Sequence, residues 1–288
     1  MKKIIVLILI AIVTVSCSRK KNKANNPSLL KNKNSDKSVT SIAGLNLIAW
    51  NGDLLVNANF IDEKEKITKM KLLEAEKIAS QLFELVEKNN LIVAGKSEEQ
   101  LNNEVSKLAL EKFGIQKHWH KKIVRAGINT LSIYNDNPAN RIIQPDDILF
   151  IDFGVIVDGW ESDFAKTYVI GNDAKKIKLK NDVEKAWLET QVWYLKQTRL
   201  TGAEFFKFIV DKTETYGYTF GGVIAGHIVG EYPHEQPLDP KSFDLDVHPD
   251  NHNDMFLLDA KGNKRHWILE IHFVDKENKI AGYMEKLL

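Results

Sequence analysis

The chain has 288 residues, of which 43% are hydrophobic and 27% are charged. This length can bury one sizeable core and leaves little room for a second full domain. The 40 Lys and Arg residues nearly balance the 39 Asp and Glu residues, so composition gives no indication of a nucleic-acid partner and any specificity must come from local sites.

Residues 1–17, MKKIIVLILIAIVTVSC, have the pattern of an export signal. Two lysines precede an apolar run over 4–13, which is shorter than the roughly 20 residues that a membrane-spanning helix needs. The sequence TVSC at 14–17 resembles the lipobox of bacterial lipoproteins, in which the cysteine becomes the lipidated N-terminus. Cys17 is the only cysteine, which excludes an internal disulfide. We predict an exported protein that is anchored to a bacterial membrane through Cys17; an ordinary cleaved signal peptide or an uncleaved anchor is the alternative.

Residues 18–40 are rich in Lys, Asn and Ser, and contain little that could be buried, so we predict a flexible tether. A hairpin extension follows over 41–64, where two apolar stretches flank the turn signal Asn51-Gly52. The main domain is predicted over 65–288.

Two helices are predicted at the start of the main domain. Apolar residues recur at helical spacing over 64–87. A second helix runs from Ser97 to Phe113, with a capping box at Ser97 and Gln100 and a stop at Gly114.

The pattern between 147 and 171 changes to two apolar strands that flank a turn at 158–159. With a two-residue loop at that turn, Asp152 and Asp163 become diagonal neighbours on one face of the hairpin. Two carboxylates would then share an apolar surface.

A second hairpin is predicted near the end of the chain, after helical patterns over 181–199 and 203–216. If it closes around 277–278, Glu270 lies directly opposite Glu285. Like charges in that position are destabilising, and buried carboxylates need a partner or a metal, so a bound cation is the simplest explanation. The alternatives are exposed acids or a register slipped by one residue. The order of helices and hairpins predicts an α+β fold with a central, mostly antiparallel sheet.

Several segments together resemble the motif series of the pita-bread metallopeptidases, the family of methionine aminopeptidase, aminopeptidase P, prolidase and creatinase. They are IDFGVIVDGWESDFAKT, GHIVGEYPHEQP, LEIHF and GYMEKLL, and the similarity extends over roughly 65–288. The resemblance implies the pita-bread fold, a curved and mostly antiparallel sheet with helices on its outer face.

The resemblance also implies a site for two divalent metal ions. Asp152 would bind the first ion, Asp163 and Glu285 would bridge both ions, and His227 and Glu270 would complete the second. Oxygen-rich ligation with one imidazole suits Mn, Co, Fe or Zn, and the sequence does not choose among them.

The implied activity is hydrolysis of a peptide bond near a free N-terminus, or of an Xaa-Pro bond, in a peptide substrate. A water or hydroxide bridging the ions would be the nucleophile, and Glu270 would move its proton as general base and acid. His234 would bind the substrate amide or stabilise the oxyanion.

Two departures from the family pattern concern the substrate side of the site. The stretch NTLSIYNDNP lacks the histidine that relatives usually carry there, and only His118 and His120, in KHWHKK, lie nearby. We take His120 as the candidate substrate-binding histidine; the alternative is that KHWHKK is an exposed basic loop. Ile271-His272 replaces the usual Pro-Gly pair, which predicts a continuing strand and a reshaped pocket floor.

Two other functions are compatible with the same fold. One is a metal-independent hydrolase of small C–N bonds, of the creatinase type, and the other is a non-catalytic binding protein. The five intact ligand positions favour the metallopeptidase over both.

Overall fold

The structure, a computed structural model, describes residues 39–42, 45–50, 53–56 and 58–288. The predicted signal and lipidation site at 1–17 lie outside these ranges. Within them, none of the helices has both the length and the apolar character needed to cross a bilayer.

The first described strands form a small antiparallel sheet in the order β1-β2-β3. They are β1 (Val39–Ile42), β2 (Leu45–Trp50) and β3 (Asp53–Val56). Trp50 pairs with Asp53, which is the register expected for the hairpin predicted around 51–52. The sequence prediction assigned Val39 and Thr40 to the tether, but both residues lie in β1.

Helix α1 (Ala58–Lys88) begins before residue 64, the start that the periodicity indicated. It therefore crosses the boundary at 64–65 that was predicted between the extension and the main domain. Over residues 63–70 of this helix the side chains are exposed or half-buried, and Leu72 is the first fully buried residue among 63–88. Residues 63–70 consequently carry no core-facing pattern that a sequence search could detect.

Helix α2 (Glu98–Phe113) has the ends predicted from the sequence. Ser97 and Gln100 form the capping box, in which each side chain accepts a hydrogen bond from the other residue's backbone N–H. Gly114 ends the helix in the left-handed conformation, with φ +67°.

Helix α3 (Ala174–Tyr194) is displaced from the predicted range of 181–199, whereas α4 (Gly202–Thr215) agrees closely with its predicted range of 203–216. The Asp173 side chain accepts hydrogen bonds from the N–H groups of Lys175 and Lys176 and so fixes the earlier start. The first residues of α3, AKKIKLK, are mostly exposed and show no amphipathic stripe.

The larger sheet of the described region has seven strands, all paired antiparallel, in the order β4-β5-β6-β10-β9-β7, with β8 pairing β9 off this path. The strands are β4 (Ile123–Ala126), β5 (Ile148–Val157), β6 (Trp160–Val169), β7 (Thr219–Phe220), β8 (Ile228–Val229), β9 (His266–Asp275) and β10 (Ile280–Leu287). The predicted α+β fold with an antiparallel sheet is confirmed.

Both predicted hairpin registers are also confirmed. With the loop at 158–159, Asp152 pairs with Ala165, and in the last hairpin Glu285 pairs with Glu270. Strand β10 also lies beside β6, where Glu285 pairs with Ala165. Four neighbouring strands therefore bring the predicted acids into one row.

The acids occupy the sheet face opposite the helices. On β5, Ile151 and Phe153 pack into a core with α1 and α2, so the intervening Asp152 projects from the other face. On β9, Leu269 and Ile271 pack with α3 and α4, so Glu270 also projects away from them. The helices build the core on one side, and the site occupies the other.

Gly226 positions the loop that leads into β8. Its φ is +146°, and a Cβ atom at this position would overlap the carbonyl oxygen of Ile268. The chain approaches so closely because the Ile268 N–H donates to the His227 carbonyl at 2.8 Å, and the Val247 N–H donates to the Gly226 carbonyl at 2.7 Å. Only glycine fits between the backbone of β9 at Ile268 and the loop at Val247.

We expect Gly226→Ala to lower the free energy of unfolding by about 1–3 kcal/mol, because alanine is strained at this φ and its methyl group collides with backbone. Urea denaturation of the full chain measures the change. Gly230→Ala is the matched control, since its Cβ would meet His234 Cβ at 3.6 Å, an ordinary contact. Equal stability of the two variants would contradict the explanation.

Glu76 of α1 lies where the helix meets two strands of the site. Its Oε2 is 3.4 Å from Ser162 Oγ on β6 and 3.5 Å from the Leu287 N–H on β10. Burial raises the pKa of Glu76 from 4.5 to about 7.

Between pH 4.5 and 7, the folded chain therefore holds a proton on Glu76 that the unfolded chain has released, and stability from this group is lost as pH rises through that window. Glu76→Gln keeps the contacts without the titration. We expect wild-type stability to fall relative to Glu76→Gln by roughly 2 kcal/mol between pH 5 and pH 8. Urea denaturation across this range measures the difference, and a difference that does not vary with pH would exclude the raised pKa.

Candidate metal centre and substrate cavity

A cavity of about 410 Å³ lies against the sheet face that carries the acids. This volume is in the usual range for small-ligand sites. All of the metal-binding, catalytic and substrate-binding residues predicted from the sequence line it: His120, Asp152, Asp163, His227, His234, Glu270 and Glu285.

Asp163 is the centre of the cluster, because each of its oxygens faces one imidazole. Its Oδ1 lies 2.9 Å from His120 Nε2, and its Oδ2 lies 3.2 Å from His227 Nε2. Asp152 lies on the His120 side, where its Oδ1 is 3.6 Å from the same Nε2. The side chain of His120 is 7% exposed, so the alternative that KHWHKK is an exposed loop is wrong for this residue.

The two glutamates lie on the His227 side of the cluster. His227 Nε2 is 3.7 Å from Glu270 Oε1 and 3.6 Å from Glu285 Oε1. The Tyr283 hydroxyl contacts both acids, at 2.8 Å from Glu270 Oε2 and 3.3 Å from Glu285 Oε2. Glu285 is only 2% exposed, as its position between β6 and β9 requires.

Burial and mutual repulsion dominate the electrostatics of the acids. Burial, with the charge of Glu285, raises the pKa of Glu270 to about 8. Burial likewise raises the pKa of Asp152 to about 8, and burial with the nearby aspartates raises the pKa of Glu285 well above its usual range. Positive charge placed among these groups would therefore be strongly stabilised.

Asp163 is the exception among the four acids. Burial opposes its ionisation, but the imidazoles of His120 and His227 hold the pKa of this carboxyl well below its usual range. Burial also opposes protonation of the two imidazoles, yet the carboxylates around them raise both of their pKa values. The imidazoles and the carboxylates of the cluster therefore favour each other's charged forms.

The donor set fits divalent metal ions. Asp152 Oδ1 is buried and accepts no hydrogen bond from any described residue. The sets His120, Asp152, Asp163 and Asp163, His227, Glu285 each place three possible ligand atoms within 4.8 Å of one another. Both sets include Asp163.

His234 faces the cavity beyond this cluster, and Glu161 holds its orientation. His234 Nδ1 lies 2.7 Å from Glu161 Oε2, and the His234 backbone N–H donates to Oε1 at 3.2 Å. With Nδ1 engaged, Nε2 is the ring nitrogen left for a ligand. Glu161 is 1% exposed and lies two residues before Asp163, on the same face of β6.

Trp119 forms the wall between the imidazoles. Its ring centroid lies 4.6 Å from that of His120, 5.2 Å from that of His227 and 5.5 Å from that of His234. The indole N–H donates to the Ser162 carbonyl at 3.2 Å, which ties the wall to β6.

Further parts of the cavity lining come from the stretch NTLSIYNDNP and from residues beside the acids on the sheet. Ser132, Ile133, Tyr134 and Asn135 line the cavity in place of the histidine expected from the family pattern. His272 lies on the floor, as predicted, in a strand that continues through 271–272. Its ring contacts Phe150 and Tyr283, at centroid distances of 6.1 Å and 5.5 Å.

Sequence reasoning missed four residues of the site. Strand alternation could have identified Glu161 and Tyr283, each two residues before a predicted ligand. Trp119 could have been suspected from its place in KHWHKK. Arg125 carries no such signal. It is 4% exposed and donates to the Ser132 and Asp136 carbonyls, so it holds the backbone of 132–136 beside the cavity.

Known proteins resemble the chain both in sequence and in fold. A methionine aminopeptidase from Borreliella burgdorferi is 32% identical over 124 residues, which cover 43% of this chain and 48% of that protein. The chain thus spans about half the length of this curated relative.

Among solved structures, prolidase from Thermococcus sibiricus matches with a TM-score of 0.59 and 21% identity over 76% of this chain and 55% of that chain. Methionine aminopeptidase from Thermotoga maritima matches with a TM-score of 0.55 and 17% identity over 76% of this chain and 90% of that chain. At these identities the likeness establishes the shared pita-bread fold.

The family model of metallopeptidase family M24 matches residues 70–260, more than half of the chain. The match includes Asp152, Asp163 and His227, while Glu270 and Glu285 lie beyond it and are brought to the same cavity by the β9–β10 hairpin. By its sequence, its fold and the geometry of this cavity, the chain belongs to metallopeptidase family M24.

Proposed function

We propose that this protein is a dinuclear metallopeptidase that hydrolyses peptide bonds near a free N-terminus. The observation that carries the proposal is the row of four carboxylates, three of them buried and Glu270 14% exposed, with two imidazoles in one cavity. One oxygen of Asp152 in this row has no hydrogen-bond donor. Such a row is destabilising by itself and is explained by bound cations.

Asp152, Asp163, His227, Glu270 and Glu285 would hold the ions. Bound divalent ions supply Lewis acidity and an activated water for attack on the scissile carbonyl. The remaining steps belong to the side chains of this protein.

Glu270 would accept the proton of the attacking water and return it to the leaving amine. Tyr283 donates a hydrogen bond to Glu270 Oε2, which leaves Oε1, on the His227 side, for that proton. Burial raises the pKa of the Tyr283 phenol well above its usual range, so this hydroxyl remains a donor.

His234 would contact the substrate through Nε2, since Glu161 engages Nδ1. A neutral ring accepts a hydrogen bond from a substrate amide, and a protonated ring donates to the developing oxyanion. The cavity volume suits a short peptide segment, and the aromatic rings of Phe150, Tyr134 and Phe243 offer apolar walls for a side chain. The names of the relatives support two substrate classes for the first screen, short peptides with an N-terminal methionine and Xaa-Pro peptides.

The metal content of the full chain, purified in detergent, is the test. We expect close to two transition-metal ions per chain by elemental analysis. Asp163→Asn should lose most of both ions, because Asp163 belongs to both ligand sets. Glu270→Ala should lose ions and abolish peptide hydrolysis.

Asp211→Asn is the matched control, because Asp211 is an exposed carboxylate on α4 that pairs with Lys207. Its metal content should equal that of the wild type. A folded, metal-free wild-type chain that cannot be reconstituted would overturn the proposal. Turnover of a small C–N substrate by that metal-free chain would favour the creatinase-type hydrolase, and a lack of any turnover would favour a binding protein.

We also expect Tyr283→Phe to weaken metal affinity by about 10–100-fold, because Glu270 loses the hydrogen bond that orients it and Glu285 loses its contact with the hydroxyl. Isothermal titration with Co²⁺ measures the change. Tyr218→Phe is the control, since the Tyr218 hydroxyl bonds to Asp182, which is not part of the cavity lining. Equal metal affinities in the two variants would show that Tyr283 does not orient the metal ligands.

We further propose that residues 1–17 export the chain and that lipid on Cys17 anchors it to a membrane. The support is the sequence pattern alone, since these residues lie outside the described ranges.

A further inference from the structure

The orientation of His120 differs from that expected of a substrate-binding residue. Its Nε2 points at two carboxylates, at 2.9 Å from Asp163 Oδ1 and 3.6 Å from Asp152 Oδ1. This is also the side of the cluster where Asp152 Oδ1 has no hydrogen-bond donor. A single cation between these three atoms would satisfy all of them.

The other ring nitrogen fixes the tautomer. His120 Nδ1 lies 2.7 Å from the Lys121 carbonyl, which can only accept a hydrogen bond, so Nδ1 carries a proton. In the neutral ring, Nε2 then directs a lone pair toward the carboxylates. Metal-ligating histidines have this arrangement, with one nitrogen on the metal and the other N–H donated to a carbonyl or carboxylate.

His227 provides an internal comparison. Its Nδ1 lies 2.8 Å from the backbone carbonyl of Ile228, the next residue in the chain. His120 Nδ1 makes the same contact with the carbonyl of its own next residue, Lys121. Its Nε2 faces Asp163 Oδ2, whereas His120 Nε2 faces Oδ1. The two imidazoles thus make equivalent contacts on opposite sides of one carboxylate.

The His120 ring lies over β5, in the space left by the missing side chain of Gly154. A Cβ atom at Gly154 would overlap the His120 ring and would lie 2.6 Å from Trp119 Nε1. Gly154 follows Asp152 on the same face of β5. Its carbonyl accepts a hydrogen bond from the backbone N–H of Trp119 at 3.0 Å. The fold therefore holds His120 rigidly in the cluster.

We propose that His120 is a protein ligand of the ion held by Asp152 and Asp163, so that each of the two ions has one imidazole ligand. The inference rests on the proposed dinuclear function. It changes the protein ligands of the first ion from oxygen atoms alone to oxygen atoms and one imidazole nitrogen. Because imidazole suits Zn, Fe and Ni better than Mg or Mn, this site should select the former metals.

The test compares His120→Ala with wild type, using the full chain titrated with Co²⁺. Calorimetry should show two ions in the wild type. In His120→Ala we expect one ion to be lost or to bind at least about 10-fold more weakly while the other remains. His118→Ala is the matched control, because His118 lies two residues away and packs on Phe153, at a centroid distance of 5.5 Å, outside the cluster.

Proton NMR of the Co²⁺-loaded wild type needs no variant and keeps the inference testable if His120→Ala does not fold. When an imidazole ring binds Co²⁺, the NMR signal of its N–H proton is strongly shifted by the metal. The Nδ1 protons of His120 and His227 are protected from exchange with water, because each is donated to a backbone carbonyl. We expect two shifted exchangeable signals in wild type and His118→Ala, and one in His120→Ala.

A single shifted signal in wild type with two ions bound would overturn the inference. Unchanged Co²⁺ stoichiometry and affinity in His120→Ala would also overturn it, and a raised KM in that variant would assign His120 to the substrate instead. A wild-type chain that binds no ion would overturn both the proposed function and this inference. The results named above, in which the wild type binds two ions, would overturn the inference about His120 alone.

Discussion

Glu270 and Glu285 lie directly opposite each other on adjacent strands, and Asp152 and Asp163 continue the same row across the sheet. Like charges in these positions repel, and none of the four can be moved without changing the register of a strand. The other groups of the site reduce this repulsion. Two imidazoles, a phenol and the cavity itself surround the acids with donors and with space for cations.

Asp163 divides the site into two sides with different neighbours. One oxygen faces His120 and Asp152, and the other faces His227 with the two glutamates on its far side. Trp119 contacts the imidazoles of both sides and that of His234. The imidazoles that would hold ions and the imidazole that would meet the substrate therefore pack against the same indole.

Strand alternation and short loops determined most of what could be predicted. The two hairpin registers follow from a two-residue turn and a period of two, which is why Asp152, Asp163, Glu270 and Glu285 were correctly brought together. The starts of α1 and α3 were less predictable than those of α2 and α4, because residues 63–70 of α1 and the first residues of α3 are mostly exposed and carry no apolar stripe. The place of His120 could not be derived, since it depends on a nonlocal contact with Gly154 that leaves no periodic signal.

The strand order makes the complete site depend on a contact between distant parts of the chain. Strands β5 and β6 form one local hairpin, β9 and β10 form another, and each carries only half of the acids. The four acids meet when β10 docks on β6, a contact that joins distant parts of the chain and so requires closure of a long loop. The complete ligand set is thus a property of the finished tertiary fold. Either hairpin alone would offer only one pair of acids, so substitutions that weaken the contact between β6 and β10 should act on the site as a whole.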